Sequence, residues 1–178
     1  MSAWRPGGRR PDPASMLRVD QAGEYGATRI YAGQLAVLRP NCPESKLIAR
    51  MAAQEQRHLK RFDALMAERR GRPTVLQPVW NIAGFALGAA TALMSEKAAL
   101  ACTDAIETEI DLHYQHQLDQ LGHDDPELAS DIAEFRAEEI EHRDTARAAG
   151  AADAMGYPVL TAAIRAGCRV AIALSKRI

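Results

Sequence analysis

Two short stretches of the chain, Glu55-Gln56-Arg57-His58 and Glu139-Ile140-Glu141-His142, repeat one pattern, a glutamate followed three residues later by a histidine. On a helix that spacing sets a carboxylate and an imidazole on neighbouring turns of one face, where both can grip a single cation. A lone copy would mean little, because glutamate-rich helices produce it by chance and a solvated salt-bridging face explains it. Both copies, however, fall on apolar stripes. Ile48, Met51, Leu59, Phe62 and Met66 share a face with Glu55 and His58, and Leu128, Ile132 and Phe135 lead at the same steps into Glu139 and His142. A carboxylate buried among such side chains is costly unless a partner compensates it, and a metal cation compensates best.

Two more glutamates share this character. Glu24 lies on a stripe with Leu17, Tyr31 and Leu35, and Glu107 on one with Leu100, Ile110, Tyr114 and Leu118. The separations agree: 55 − 24 = 31 residues in the first half and 139 − 107 = 32 in the second, so the chain reads as two helix pairs of similar build. One Glu from each of two helices and a Glu-x-x-His from each of two others is the ligand set of carboxylate-bridged di-iron and di-manganese centres. Four carboxylates also balance two divalent ions, leaving a cluster that an apolar core tolerates. Oxygen and imidazole donors suit iron, with manganese as the fallback. The expected metal ligands, and with them the catalytic residues, are therefore Glu24, Glu55, His58, Glu107, Glu139 and His142. Glu138 could also face His142 at a four-residue step, but Glu139 matches the first copy. Glu141 and Glu109 are read as solvated or supporting groups, His113 and His116 as structural or supporting, Asp111 as a group that could orient a histidine, and Tyr25 and Tyr114 as packing residues flanking ligands.

Six elements must position these groups. Strand signals are nearly absent, with 5% aromatic residues and no Asn-Gly or Asp-Gly turns, so the fold class is all-α. A first helix is expected after Ser15, running to about Arg39, and a second from Pro43 to just before Gly71. A third segment, Val75 to Met94, has no charge. Ser95 caps a helix through Glu107 to Leu121, Asp125-Pro126 opens another to about Ala149, and a last runs from Pro158 to about Lys176. Residues 1–14 read as a flexible tail and 15–178 as one domain of ordinary size, with 75–94 as an apolar segment within it.

Composition narrows the function classes. Basic and acidic residues number 22 and 23, so no global field favours nucleic acid. The three cysteines, Cys42, Cys102 and Cys168, have no metal-site spacing and read as buried small hydrophobes. The uncharged segment is about 20 × 1.5 = 30 Å as a helix, nominally a bilayer's width. Pro78, Asn81, Gly84 and Gly88 make it a weak span, and a single crossing would part the halves of the metal site. A helix lying in the membrane interface, with Trp80 and Phe85 dipping in, is the expectation, next to a connecting helix packed on the bundle. The last helix sets Leu160, Ile164, Val170 and Leu174 opposite Arg165, Arg169, Lys176 and Arg177, a pattern suited to anionic headgroups.

The segments RVDQAGEYGATRIYAGQLAVL, QEQRHLKRF, RPTVLQPVWNIAGFALGAATAL, ACTDAIETEIDLHY, FRAEEIEHRD and AGCRVAI closely resemble the demethoxyubiquinone hydroxylase family of ubiquinone biosynthesis, from about Arg18 to the C terminus. The resemblance implies a ferritin-like four-helix bundle with a membrane-interfacial helical segment and a C-terminal helix. It implies a di-iron monooxygenase that uses O2 to hydroxylate the ring of a demethoxy polyprenyl quinol. Position by position, the family's iron ligands fall on Glu24, Glu55, His58, Glu107, Glu139 and His142. It further implies a membrane surface, a lipid-binding helper protein and a homo-oligomer as partners. Electrons are expected from an external reductant, NADH or the quinol itself, since no GxGxxG fingerprint is present. Without the transit sequence of eukaryotic relatives, the expected location is peripheral, at the cytoplasmic face of a bacterial inner membrane. Some relatives have Tyr where this chain has Ala173, which removes any role for an aromatic there, whereas Arg169 is retained. Iron storage or peroxide removal by a ferritin-like bundle is the competing function, and a metal-free membrane adaptor the third.

Overall fold

The computed structural model describes residues 12–177, and six α-helices carry almost all of them: α1 Pro13–Val37, α2 Pro43–Glu68, α3 Gln77–Met94, α4 Glu96–Leu121, α5 Pro126–Ala148 and α6 Tyr157–Ser175, with one 3-10 turn at Ala151–Asp153. The all-α expectation holds. Three of the six helix starts, those of α1, α2 and α5, follow one recipe. A proline fixes φ in the first turn, and the residue before it supplies an acceptor to an orphan backbone N–H. Asp125 accepts from the Leu128 N–H at 3.2 Å, and Ser95, in a start without proline, from Ala98 at 2.9 Å. Of the three cysteines only Cys102 is buried as expected; Cys168 is half-buried, and so is Cys42, whose Sγ accepts from the Ser45 N–H at 3.3 Å.

One start departs from expectation. Asp12, not Ser15, caps α1 and accepts from the Ser15 N–H at 3.2 Å, so Pro13 and Ala14 are helical. Asp12-Pro13 is the same signature as Asp125-Pro126 and prevails for the same reason. Residues 1–11 of the expected tail lie outside the described residues.

Helices α1, α2, α4 and α5 form the bundle, with α1 against α2 and α4 against α5. Two apolar layers close it. One gathers Leu17, Phe62, Leu65, Tyr114, Leu121, Leu128, Ile132 and Phe135, and the other Tyr31, Leu38, Ile48, Met51, Ala92 and Ala99. Helix α3 packs on α1 with its backbone almost in contact. A Cβ added at Gly88 would sit 1.9 Å from the Ile30 carbonyl oxygen, and one at Gly33 would sit 2.1 Å from that of Phe85. Helix α6 packs on α4 through Leu160, Ile164 and Cys168.

The apolar segment is thus a packed helix with one bare face. Val75, Val79, Ile82, Leu93 and Met94 are exposed. Trp80 does not share that face: its indole N–H donates to Ser175 Oγ at 3.0 Å and ties α3 to α6. Phe85 is exposed, with the Arg29 guanidinium 5.4 Å from its ring centroid. Arg165 and Arg169 keep exposed side chains but are also tied to the bundle. Both guanidiniums donate to one carboxylate oxygen of the buried Glu109, at 2.6 and 2.8 Å.

Candidate metal centre

Between the two apolar layers the bundle places its charges. Glu24 on α1, Glu55 and His58 on α2, Glu107 on α4, and Glu139 and His142 on α5 are all at most 2% exposed. The structure brings all six together in two groups. One comprises Glu24, Glu55, His58 and Glu139, the other Glu55, Glu107, Glu139 and His142, and within each group one donor atom per residue lies within 4.8 Å of the rest. Glu55 and Glu139 belong to both and sit at the centre. Glu24 with His58, and Glu107 with His142, flank them.

The donor atoms fit a metal by a stringent measure. Glu24 Oε2, both Glu55 oxygens, His58 Nδ1, Glu107 Oε2 and Glu139 Oε1 are buried and have no hydrogen-bond partner outside the cluster itself. Native interiors rarely leave polar atoms so. Six such atoms converging from four helices are lone pairs directed at a common centre. Hydrogen bonds hold the remaining atoms outward. His58 Nε2 donates to Glu138 at 2.9 Å and His142 Nε2 to Gln54 Oε1 at 3.0 Å, which leaves each Nδ1 facing the carboxylates. His58 Nδ1 lies 3.0 Å from Glu139 Oε1, and His142 Nδ1 lies 3.2 Å from Glu55 Oε1. Tyr31 Oη donates to Glu107 Oε1 at 2.5 Å, and Tyr114 Oη donates to Glu24 Oε1.

Electrostatics confirm how poorly the cluster stands without cations. Burial first, then the charges of Glu139, Glu24 and Glu107, pushes the Glu55 carboxyl well above the usual range. Burial and Glu139 do the same to Glu107. Burial also raises Glu139, though its hydrogen bond from His58 works the other way. Burial opposes the charge on His58, yet its bonds to Glu139 and Glu24 overcome this and hold the imidazolium up to about 11. At Glu24 the same contact outweighs burial and holds the carboxyl below its ordinary value. Four acids and two imidazoles share protons where two divalent cations would neutralise them.

Several supporting groups lie elsewhere than expected. Glu138 faces His58 across the bundle rather than His142 on its own helix. Asp111 orients no histidine but takes Arg136 at 2.7 Å and Arg143 at 2.8 Å. His113 lies 3.4 Å from the buried Asp20. Tyr114 is more than packing, because it holds the Glu24 carboxylate. Tyr31 does the same, although it stands on the first helix's stripe as an apolar residue. The signal for it was present: Glu24 to Tyr31 and Glu107 to Tyr114 are both steps of seven.

Fold and cluster together define a four-helix carboxylate-histidine bundle able to hold metal. Residues 12–175 match the family model described as "Ubiquinone biosynthesis protein COQ7", and the chain belongs to that family. It is 55% identical over 172 residues to a 3-demethoxyubiquinol 3-hydroxylase of Rhodospirillum rubrum, covering 94% of this chain and 81% of that protein. It is 51% identical over 167 residues to the human mitochondrial NADPH-dependent 3-demethoxyubiquinone 3-hydroxylase, covering 92% and 76%. To the yeast mitochondrial 5-demethoxyubiquinone hydroxylase it is 42% identical over 179 residues, covering 92% and 77%.

Proposed function

We propose that this chain is a di-iron monooxygenase that hydroxylates the ring of a demethoxy polyprenyl quinol in ubiquinone biosynthesis, with Glu24, Glu55, His58, Glu107, Glu139 and His142 as the iron ligands. The observation that supports it best is a cavity beside the cluster. A space of about 600 Å³ runs between α3 and α6 against α1 and α4, walled by Ala22, Gly26, Ile106, Ile110, Ile164 and Ala171 among others. Its walls are almost wholly apolar, as a polyprenyl chain requires. It is lined by Gly23 and Ile106, which adjoin Glu24 and Glu107 in the chain, so it runs along the two helices that supply only one carboxylate each. An iron store has no use for such a space.

The roles follow from position. Iron held there would supply the redox chemistry that activates dioxygen for insertion at the ring carbon, with the external reductant restoring it. Glu55 and Glu139, common to both groups of donors, would serve both metals. Tyr31 and Tyr114 hold the outer oxygens of Glu107 and Glu24 and keep those carboxylates from swinging. Two apolar layers exclude bulk water, which protects the chemistry from proton leakage. Glu109 is the one charged residue on the cavity wall, and Arg165 and Arg169 anchor it. The reductant is an external nicotinamide, as the name of the NADPH-dependent human relative suggests, and is not tightly held. Exposed Val79, Ile82, Val159 and Val170 on α3 and α6 form an apolar face beside the cavity. By length and hydropathy α6 alone among the described helices could cross a membrane. Its clamp on Glu109 and its bond to Trp80 support a peripheral placement instead, on the cytoplasmic face of a bacterial inner membrane, where a lipid-binding helper or a second copy could cover the same face.

The test is an anaerobic reconstitution with Fe²⁺, followed by a demethoxy quinone analogue, reductant and a measured amount of O2. The expected result is ring hydroxylation in proportion to oxygen consumed. Oxidation of iron into a mineral core with no hydroxylated product would overturn the proposal in favour of storage.

A further inference from the structure

The two halves of the cluster are near copies, yet the residues behind their histidines differ in charge. Each ligand glutamate of a Glu-x-x-His pair is preceded by a residue that reaches across to the other pair's histidine. Gln54 precedes Glu55 and accepts from His142 Nε2 at 3.0 Å, while Glu138 precedes Glu139 and accepts from His58 Nε2 at 2.9 Å. One histidine therefore leans on a carboxylate and the other on a neutral amide. The Arg57 guanidinium donates to both Glu138 oxygens and to Glu134, so Glu138 is held in place as the anion. Gln54 is in turn oriented by Glu138: its amide nitrogen faces Glu138 Oε2 at 3.4 Å, which turns its oxygen toward His142.

A carboxylate behind an imidazole raises the basicity of the nitrogen on the far side, and loss of such a partner typically lowers metal affinity 10- to 100-fold. A neutral amide fixes the same tautomer with much less effect on basicity. We infer that Glu138 is a positioning residue that makes the two metal positions unequal, the one at Glu24 and His58 being tighter than the one at Glu107 and His142. The inference rests on the two-metal reading above. It adds an order of filling, and it makes Arg57, Glu138 and Gln54 one unit acting on both histidines.

The experiment is an anaerobic Fe²⁺ titration of the full chain against a competing chelator, with Mössbauer spectra taken at one and at two equivalents. The wild-type chain should bind in two steps of unequal affinity. Glu24→Ala should remove the tighter step and Glu107→Ala the weaker. Glu138→Gln should weaken the first step by about tenfold and draw the two together. Gln54→Glu, which gives both histidines a carboxylate, should narrow the gap from the other side and decides the matter if Glu138→Gln fails to fold. Two equal steps in the wild type, or a gap that survives in whichever of these two variants folds, overturns the inference while leaving the two-metal reading intact. Failure to bind iron at all overturns both.

Discussion

Replacing Gly88 by alanine should detach the apolar helix while sparing the metal cluster. The added Cβ would lie 1.9 Å from the Ile30 carbonyl oxygen, 2.8 Å from the Ile30 carbonyl carbon and 3.0 Å from the Gln34 nitrogen. Ordinary contact begins near 3.4 Å, so α3 must retreat from α1 by roughly 1.5 Å. These atoms are helical backbone, and no rotamer change relieves the clash. Overpacking of this kind costs up to about 3 kcal/mol, and at this chain length each kcal/mol lowers the melting temperature by roughly 2–4 °C, so a fall of about 6–12 °C follows. Gly167→Ala is the control for stability and iron content, although Gly167 also walls the cavity. Nothing lies within 4 Å of a Cβ there, and loss of a helical glycine should stabilise by about 0.5–1 kcal/mol. No metal ligand sits on α3, so iron stoichiometry should stay at wild type. Trp80, Ala83, Gly84 and Leu87 of α3 wall the cavity, so binding of a polyprenyl quinone analogue should be lost. Thermal unfolding, iron content and analogue binding measured on both variants decide it. A Gly88→Ala protein that melts no lower than wild type and still binds the analogue would refute the claimed contact and the cavity that depends on it.

Three further outcomes are expected. Glu55→Ala or Glu139→Ala should lower iron content by both equivalents, and Glu24→Ala or Glu107→Ala by one, since only the first two belong to both groups of donors; equal losses in all four variants would contradict the shared roles. In the metal-free protein His58 keeps its proton up to about 11, against 6.5 unfolded, so its contribution to stability is full below pH 6.5 and fades as pH climbs toward 11. Glu55 and Glu107, raised by burial and neighbouring charge, add a loss in the same direction from about pH 4.5 upward, so the apo melting temperature should decline from pH 7 to 9 and metal uptake should release protons to an indicator dye; a rise over that range would refute the assignment. Glu109→Gln should loosen α6, read as faster amide exchange in Tyr157–Ser175 with α3 unchanged, because the carboxylate that both arginines share is lost.

The convergence of the six buried acids and histidines was legible in the sequence because charge on an apolar face has no cheap explanation other than a cation, and because the pattern occurs twice. Helix boundaries were legible where proline follows a capping residue, and Asp12-Pro13 was passed over only because Ser15 offered a second plausible start. Tyr31, Gln54 and Glu138 were harder. A tyrosine on an apolar stripe looks like core until its hydroxyl is placed, and a residue one position from a ligand points about 100° away from it on its own helix. Only the neighbouring helix shows that this direction leads to the partner histidine. Arg165 and Arg169 looked solvated for the same reason, since Glu109 approaches them from α4. The bare and packed faces of α3 were indistinguishable in an uncharged segment, although the four-residue spacing of Gly84 and Gly88 marked the side on which a backbone could approach.

The duplication reaches past the ligands and explains where the cavity lies. Each half is a helix with one ligand glutamate, a helix with Glu-x-x-His, and an apolar helix folded back on the first: α1, α2 and α3, then α4, α5 and α6. Apart from the His142–Glu139 contact within α5, the hydrogen bonds that hold the cluster cross between halves. Tyr31 holds Glu107, Tyr114 holds Glu24, Gln54 holds His142 and Glu138 holds His58. Neither half can complete a metal position alone, so the polar groups weld the halves along the bundle axis. The two apolar helices have no such weld beyond Trp80 and Ser175, and the space left between them is the cavity. They are also seated differently. Backbone meets backbone at Gly33 and Gly88 under α3, whereas nothing approaches Gly167 of α6 and its charged hold on the bundle is Glu109 with two arginines. Because a shared carboxylate yields more readily than interlocked backbones, the cavity between the two helices has its softer wall at α6.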